Sequence, residues 1–262
     1  MQVERLAAPL GAVVSDVDVT TVDDAVWARL DALFVEHHVL VFPDQELTAD
    51  DQLAFAARWG PLVRHPYNGM ADYPEIIELR NVGRQQDLNQ HWHSDMTFEP
   101  APPKLTMLYA LSAPAIGGDT AFANQELAYA DLSDGLRHTV DQLRAVHTAE
   151  GLAAAYGEDP AEAPRAEHPV IRTHDQSGRR SLYVTRAFTR RFAQWTRSES
   201  APLLQYLFDH SIRPEYQARH RWRRGDLVLW DNRCLLHYAV HDHADDQPRT
   251  IHRCQVAGPV PA

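Results

Sequence analysis

One imidazole and one carboxylate stand two residues apart in His93-Ser94-Asp95, inside the run His91-Trp92-His93-Ser94-Asp95-Met96-Thr97-Phe98. On an extended backbone, residues i and i+2 point to the same face. His93 and Asp95 can then grip one ion from one side while Ser94 points away. Imidazole plus carboxylate suits a borderline divalent metal such as Fe(II), and a second histidine from elsewhere would complete a two-histidine, one-carboxylate set with open coordination positions. The motif alone is weak evidence, because the chain has 15 His and 36 Asp plus Glu. A second His-x-Asp stands at His243-Ala244-Asp245. It falls in a polar stretch before Pro248 and reads as a solvated loop.

A third ligand is available in Val228-Leu229-Trp230-Asp231-Asn232-Arg233-Cys234-Leu235-Leu236-His237-Tyr238, a strand, a tight polar turn and a second strand carrying His237. Taken alone, a histidine among apolar neighbours also fits a hydrogen-bonded core residue. Next comes Arg249-Thr250-Ile251-His252-Arg253, where a strand would put Arg249, Ile251 and Arg253 on one face. Two arginines pointing inward are costly unless each meets an anion. Arginine suits a carboxylate or sulfonate because its planar donors bind two oxygens at once. An edge strand with both side chains in solvent is the other reading of this segment.

The elements that must position these groups are many short strands with a few helices. A strand is expected within 9–20, then a helix over about 24–37 capped by Thr21 or Asp23, with Val26, Leu30, Leu33 and Phe34 at helical spacing. His37–Pro43 reads as a short buried strand, and a second helix follows over about 49–59. Strands are expected at 75–80, 104–111 and through Phe122. Residues 124–150 read as helical, with Gln125–Ala130, a break, and about 133–146. Residues 151–166 are Ala-, Glu- and Pro-rich and read as a mobile loop. A hairpin is expected from His168–Thr173 through a turn at Asp175–Gly178 to Ser181–Val184. A helix at Glu199–His210 and strands at 216–222, 227–230, 235–240 and 250–256 complete the chain. There is no parallel βαβ rhythm, no Gly-rich phosphate loop, no internal repeat and no long linker. The pattern predicts a single domain, 1–262, mainly β with flanking helices: a β-sandwich or jelly roll. In a jelly roll, residues remote in sequence meet inside the barrel, so His237 can face His93.

Composition removes several classes. The net charge is -11, and basic clusters such as Arg221-Trp222-Arg223-Arg224 are short and read as solvated edges, so nucleic acid is not the partner. Two cysteines, Cys234 and Cys254, cannot build a disulfide framework and fit a reducing cytoplasm. The N-terminus lacks a basic segment followed by an apolar run, and no apolar stretch reaches the ~18 residues of a membrane span.

The chain resembles the taurine dioxygenase (TauD/TfdA) family of Fe(II)- and 2-oxoglutarate-dependent oxygenases over nearly its whole length, from Leu10-Gly11-Ala12 to Gln255-Val256-Ala257-Gly258. The resemblance rests on the block Trp92–Phe98, Gly117-Gly118-Asp119-Thr120, Trp230-Asp231-Asn232-Arg233 with His237-Tyr238-Ala239, and Arg249-x-x-His252-Arg253, in the family's order and at compatible spacings. It implies a double-stranded β-helix in which His93, Asp95 and His237 hold iron. It implies that Arg249 binds the distant carboxylate of 2-oxoglutarate with help from the Thr120 hydroxyl, and that O2 is the second cosubstrate. The implied chemistry is oxidative decarboxylation of 2-oxoglutarate to succinate and CO2, coupled to hydroxylation of a substrate C–H bond. When the hydroxylated carbon carries a sulfonate, sulfite leaves and an aldehyde remains.

The family's taurine pocket maps onto His65, Asn89 and Arg253, with an approximate counterpart at Tyr67 and a pocket aromatic at Phe188. These matches imply a small anionic organic substrate such as taurine or another alkylsulfonate. The segment 150–166 is shorter than in typical taurine enzymes and lacks the aromatic expected at its start, which leaves room for alkylsulfates or aryloxyalkanoates. Family members are often dimers or tetramers, so a homo-oligomer stays open. Three other readings compete. A cupin-type site on His91-Trp92-His93 would strand Asp95. A metal-binding jelly roll without oxygenase activity needs no Thr120–Arg249 pair. A Zn hydrolase could use two histidines and a carboxylate, and independence from 2-oxoglutarate would reveal it.

Overall fold

Helix starts obey the local capping chemistry. The Asp23 side chain accepts from Val26 N and opens α1, Asp24–His37. Thr48 and Asp51 cap each other's backbone N–H reciprocally and open α2, Ala49–Ala57. Helix α1 closes on His38 in the left-handed conformation (φ 65°), its N–H bonded to Phe34 O, a position usually given to glycine. The computed structural model describes residues 1–65, 68–81, 91–243, 247 and 249–262.

Among those residues the strands are β1 (Gln2–Arg5), β2 (Ala12–Ser15), β3 (Val39–Phe42), β4 (Ile77–Asn81), β5 (Leu105–Ser112) and β6 (Thr120–Asn124). Helices α3 (Gln125–Ala130) and α4 (Asp134–Val140) follow, then β7 (Arg144–Thr148), α5 (Glu150–Ala155), β8 (Arg165–Pro169), β9 (Ile171–Thr173), β10 (Arg180–Leu182) and β11 (Thr189–Phe192). The chain closes with α6 (Arg197–Ser211), β12 (Gln217–His220), β13 (Leu227–Asp231), β14 (Leu235–Ala239) and β15 (Arg249–Val256). The fold is mainly sheet with some helices. The large sheet runs β1-β2-β3-β13-β5-β15-β4, and a small sheet runs β12-β6-β14.

Central strands of the large sheet are buried on both faces. Leu40, Phe42, Leu105, Met107, Leu227, Leu229 and Cys254 pack with Phe34, Phe55 and Trp59 of the helical layer. Their neighbours Val39, Val41, Leu108, Val228, Trp230 and Ile251 pack with Phe122, Ala218 and Leu235 of the small sheet. The strands thus divide their side chains with period 2 between two apolar cores, one under the helices and one between the sheets.

Four segments depart from expectation. Strand β1 lies before the first expected strand. Helix α4 ends at Val140, and Arg144–Thr148 becomes β7, paired with β8 and β11. The tertiary pairing overrides the helical pattern there, because Ala145, His147 and Thr148 are buried within the sheet. The stretch 151–166 is not one loop: α5 covers its start, Ala153 and Ala163 are buried, and Glu150 binds Arg190 and Arg197. Strands β2 and β3 are parallel, Ala12 opposite Leu40, with α1 as the crossover. No helix among the described residues is long and apolar enough to cross a membrane.

Candidate active site

Two antiparallel elements bring the remote histidines together. His237 lies on β14, paired with Phe122 of β6. The segment before Asp95 joins β14 at one point, where His93 N–H bonds to His237 O at 3.0 Å and His237 N–H bonds to His93 O at 2.7 Å. Trp92 stacks on Tyr238 at 5.6 Å, and the Ser94 hydroxyl donates to Asn232 O at 2.6 Å. After Asp95 the chain turns sharply through Met96 (φ 48°).

The three side chains meet in the interior. His93 Nε2 and His237 Nε2 each lie 3.7 Å from Asp95 Oδ1, and all three residues are buried. Their ligand-type atoms lie within 4.8 Å of one another. His93 Nδ1 lies 2.7 Å from His91 O, so Nδ1 donates and Nε2 turns its lone pair toward Asp95. Burial, joined by the nearby His93, holds the His237 pKa well below its ordinary value, so its imidazole is neutral. Burial would raise the Asp95 pKa, but Arg253, His237, His93 and the Thr106 hydrogen bond outweigh it and keep the carboxyl ionised far into acid. A neutral His237 imidazole and an ionised Asp95 carboxylate are the forms a metal ion requires, and His93 presents Nε2 with Nδ1 held by His91 O, so the donor set fits a divalent cation.

Two further groups of ligand-type residues occur among the described residues, His38-Glu126-Cys234 and His174-Asp231-Cys234. In the second, Arg233 already spans both Asp231 oxygens. In the first, His38 uses Nδ1 toward Cys234 and Nε2 toward Glu126, so one ion cannot take both contacts.

The far oxygen of Asp95 is fixed by residues that spacing did not reveal. Oδ2 accepts from Thr106 Oγ1 at 2.6 Å and from Gln255 Nε2 at 3.1 Å. Thr106 Oγ1 in turn accepts from Asn232 Nδ2 at 2.8 Å, and Asn232 Oδ1 accepts from Trp230 Nε1 at 3.0 Å. Only Oδ1 is left to face the histidines. Loss of such an outer partner costs about 10–100-fold in metal affinity. Thr106→Val is therefore expected to weaken Fe(II) or Co(II) binding by that factor while the protein stays folded, which titration by absorbance would read. Unchanged affinity would remove Thr106 from this role.

Thr120 and Arg249, at the first residues of β6 and β15, are buried on one tryptophan. Trp222 Nε1 donates to Thr120 Oγ1 at 3.0 Å, and the Arg249 guanidinium carbon lies 5.8 Å from the Trp222 ring. Arg249 Nε donates to Gly118 O at 3.2 Å. Gly117 and Gly118 hold positive φ, and a Cβ at Gly117 would meet Asp242 Oδ1 at 2.6 Å, so the turn before Thr120 requires glycine. His243, expected in a solvated loop, is half-buried, with Nδ1 3.3 Å from where a Gly118 Cβ would sit; Ala244 and Asp245 lie outside the described residues. Trp222 was not anticipated as a site residue. The alternation Ala218-Arg219-His220-Arg221-Trp222, buried at every second residue, is the signal that could have found it. The flanking Arg221, Arg223 and Arg224 are exposed as expected.

Of the pocket residues implied by resemblance, Arg253 places Nη2 2.8 Å from Asp95 Oδ1. Buried His65 has no hydrogen-bond partner for Nε2 among the described residues, and burial with the Arg253 charge lowers its pKa. Phe188 stands edge-on to the His93 ring at 6.1 Å and packs on Phe98 at 5.1 Å. Phe98, Ala149, Ala153, Ala163 and Phe188 make an apolar wall there. Tyr67 and Asn89 lie outside the described residues.

The sequence model of the family described as "Taurine catabolism dioxygenase TauD, TfdA family" matches residues 2–255. The chain is 36% identical to an (S)-phenoxypropionate/alpha-ketoglutarate-dioxygenase of Sphingobium herbicidovorans over 254 residues, covering 90% of this chain and 88% of that enzyme. It is 36% identical over 276 residues to an alpha-ketoglutarate-dependent sulfate ester dioxygenase of Pseudomonas putida, covering 100% of this chain and 91% of that one. Among solved structures, a taurine dioxygenase from Burkholderia xenovorans superposes with a TM-score of 0.89 at 33% identity, covering 100% of this chain and 92% of that one.

Proposed function

Because the chain belongs to the taurine catabolism dioxygenase TauD, TfdA family, a family of 2-oxoglutarate-dependent dioxygenases, we propose that His93, Asp95 and His237 hold its Fe(II) and that it hydroxylates a small organic anion. The observation that carries this reading is the set of three buried ligand atoms within 4.8 Å of one another, with Arg253 beside them. The two packed sheets are read as a double-stranded β-helix within one domain, 1–262. Two buried free thiols suit a cytoplasmic enzyme.

Iron with 2-oxoglutarate bound supplies an oxidant that puts one oxygen atom of O2 into a substrate C–H bond, the other going into succinate as CO2 leaves. The chain's own residues position and exclude water. Arg249 and Thr120 take the distant carboxylate of 2-oxoglutarate, and Trp222 fixes both. Thr106 and Gln255 keep Asp95 Oδ2 occupied so that Oδ1 faces the ion. Arg253 exchanges Asp95 for the substrate's anionic group, and His65 offers a neutral imidazole beside it. Phe188 and Phe98 wall the carbon skeleton off from solvent.

Our reading of the substrate is taurine or another alkylsulfonate. R-CH2-sulfonate, 2-oxoglutarate and O2 then yield the aldehyde, sulfite, succinate and CO2. A second reading is an alkylsulfate or an aryloxyalkanoate, favoured by the apolar wall of Phe98, Ala153, Ala163 and Phe188, which carries no side-chain carboxylate or hydrogen-bond acceptor for an ammonium group. Succinate and sulfite formation across alkylsulfonates, alkylsulfates and aryloxyalkanoates decides between them. Sulfite matching succinate supports the first reading; succinate only with sulfate esters or aryloxy acids supports the second. No succinate from folded, iron-loaded protein with any of them would overturn the proposal. Arg253→Met is expected to raise KM for the anionic substrate by about two orders of magnitude, because it removes one member of a desolvated charge pair. The KM for 2-oxoglutarate should stay near wild type.

A further inference from the structure

Among the described residues, Arg172 is a buried cation without a counter-ion. It lies on β9 opposite Ser181 of β10 and is 1% exposed. Other buried arginines are satisfied: Arg233 grips Asp231 with two nitrogens, and Arg249 donates to Gly118 O. Arg172 Nη1 and Nη2 have no ion-pair partner and no hydrogen bond of good geometry among the described residues; the polar group beside them is the Tyr183 hydroxyl. The guanidinium carbon lies 5.0 Å from the ring centroid of buried Tyr183, a contact that offsets only part of the desolvation of a charge.

More unpartnered polar atoms surround the same ring. The Tyr183 hydroxyl, His168 Nδ1 and His147 Nε2 are all buried without hydrogen-bond partners among the described residues. The His168 and His147 rings stand 5.8 and 5.9 Å from Tyr183 and 5.4 Å from each other. His168 Nε2 lies 3.0 Å from Glu99 O, so it donates. Burial holds both imidazoles neutral, so Arg172 carries the only full charge of this group. Buried polar groups are nearly always paired, and a buried guanidinium most of all.

We propose that Arg172 and Tyr183 form a binding site for a small inorganic anion of halide size, taken between the guanidinium donors and the phenol O–H. The three rings pack at contact distances, 5.4–5.9 Å between centroids, which excludes an organic acid from among them and limits the ligand to one of one atom or a few. The site is separate from the residues assigned to iron, 2-oxoglutarate and substrate. It touches them through His147, whose Nδ1 lies 2.9 Å from Thr97 Oγ1, two residues beyond Asp95. The anion ties the layer of β7, β8, β9 and β10 to the back of the Asp95 turn.

Sodium bromide soaked into crystals tests the position, and thermal unfolding in sodium chloride against sodium gluconate of equal ionic strength tests the energetics. A ligand of the native state raises the unfolding midpoint with its concentration. We expect an anomalous bromide peak at hydrogen-bond distance from Arg172 Nη and Tyr183 Oη, and a chloride-dependent midpoint in the wild type. Tyr183→Phe should weaken chloride about tenfold or more, since it deletes a hydrogen bond to a charge, and Arg172→Met should abolish the dependence. Should Arg172→Met fail to fold, Tyr183→Phe carries the comparison. A water in place of bromide, or equal chloride dependence in wild type and Tyr183→Phe, would overturn the proposal.

Discussion

His237→Ala is expected to leave a folded protein that retains neither iron nor succinate-forming activity. The loss of metal affinity should exceed the about 10–100-fold that removal of an outer partner costs, because an ion-facing nitrogen itself is gone. The fold should survive, since His93 and His237 are joined through their backbones, which alanine preserves. The imidazole's contacts with His93 and Trp230, at 4.1 and 4.6 Å, are lost, so some stability goes with it. Metal titration followed by circular dichroism separates the two effects. His91→Ala is the matched control. The exposed His91 serves His93 through its carbonyl oxygen, so its side chain is dispensable for metal. Full turnover in His237→Ala, or metal loss in His91→Ala, would remove the proposed ligand set.

Arg233→Met should produce the largest fall in stability. Asp231 is fully buried and takes Arg233 Nε at 2.8 Å, Arg233 Nη2 at 2.6 Å and His174 Nε2 at 2.9 Å. Deleting one partner of a buried ion pair costs about 3–5 kcal/mol, because a charge is left unpaired. At a chain of this size that is a fall of roughly 6–20 °C in Tm. The pH dependence has a fixed sign. Burial would raise the Asp231 pKa, but Arg233 and His174 outweigh it and depress it below the usual carboxylate range. A group depressed in the folded state contributes its stability above the unfolded value of about 4 and loses it as pH falls toward the folded one. Without Arg233, burial prevails and the carboxyl prefers its proton. The gap between wild type and variant should therefore be widest near neutral pH and narrow below about pH 4. A gap that widens in acid would contradict this account of the pair.

The helices with side-chain caps were readable from the sequence, as were most strands that deliver site residues. Asp23 and Thr48 announce α1 and α2 by local hydrogen bonding, and the turn at Asp231–Cys234 announces β13 and β14. The juxtaposition of His93, Asp95 and His237 was anticipated through the family resemblance; residue type and spacing alone left His237 equally a hydrogen-bonded core histidine. What was not legible depends on pairing across the chain. Arg144–Thr148 carries no β signal of its own and becomes a strand only between β8 and β11. The parallel contact of β2 with β3 follows from where α1 crosses. Thr106 and Gln255 sit in ordinary apolar strands, and only the register of β15 against β5, Gln255 opposite Thr106, sets both beside Asp95.

The reciprocal His93–His237 backbone bonds make the distance between the two imidazoles independent of the peptide that connects them. Insertions or deletions between α3 and β12 can lengthen, shorten or reshape the wall over the substrate without moving either ring. The scaffold thereby separates a part that natural selection must keep from a part it is free to rebuild. A change of length in the 150–166 segment would then be a change of clientele and leave the engine as it was.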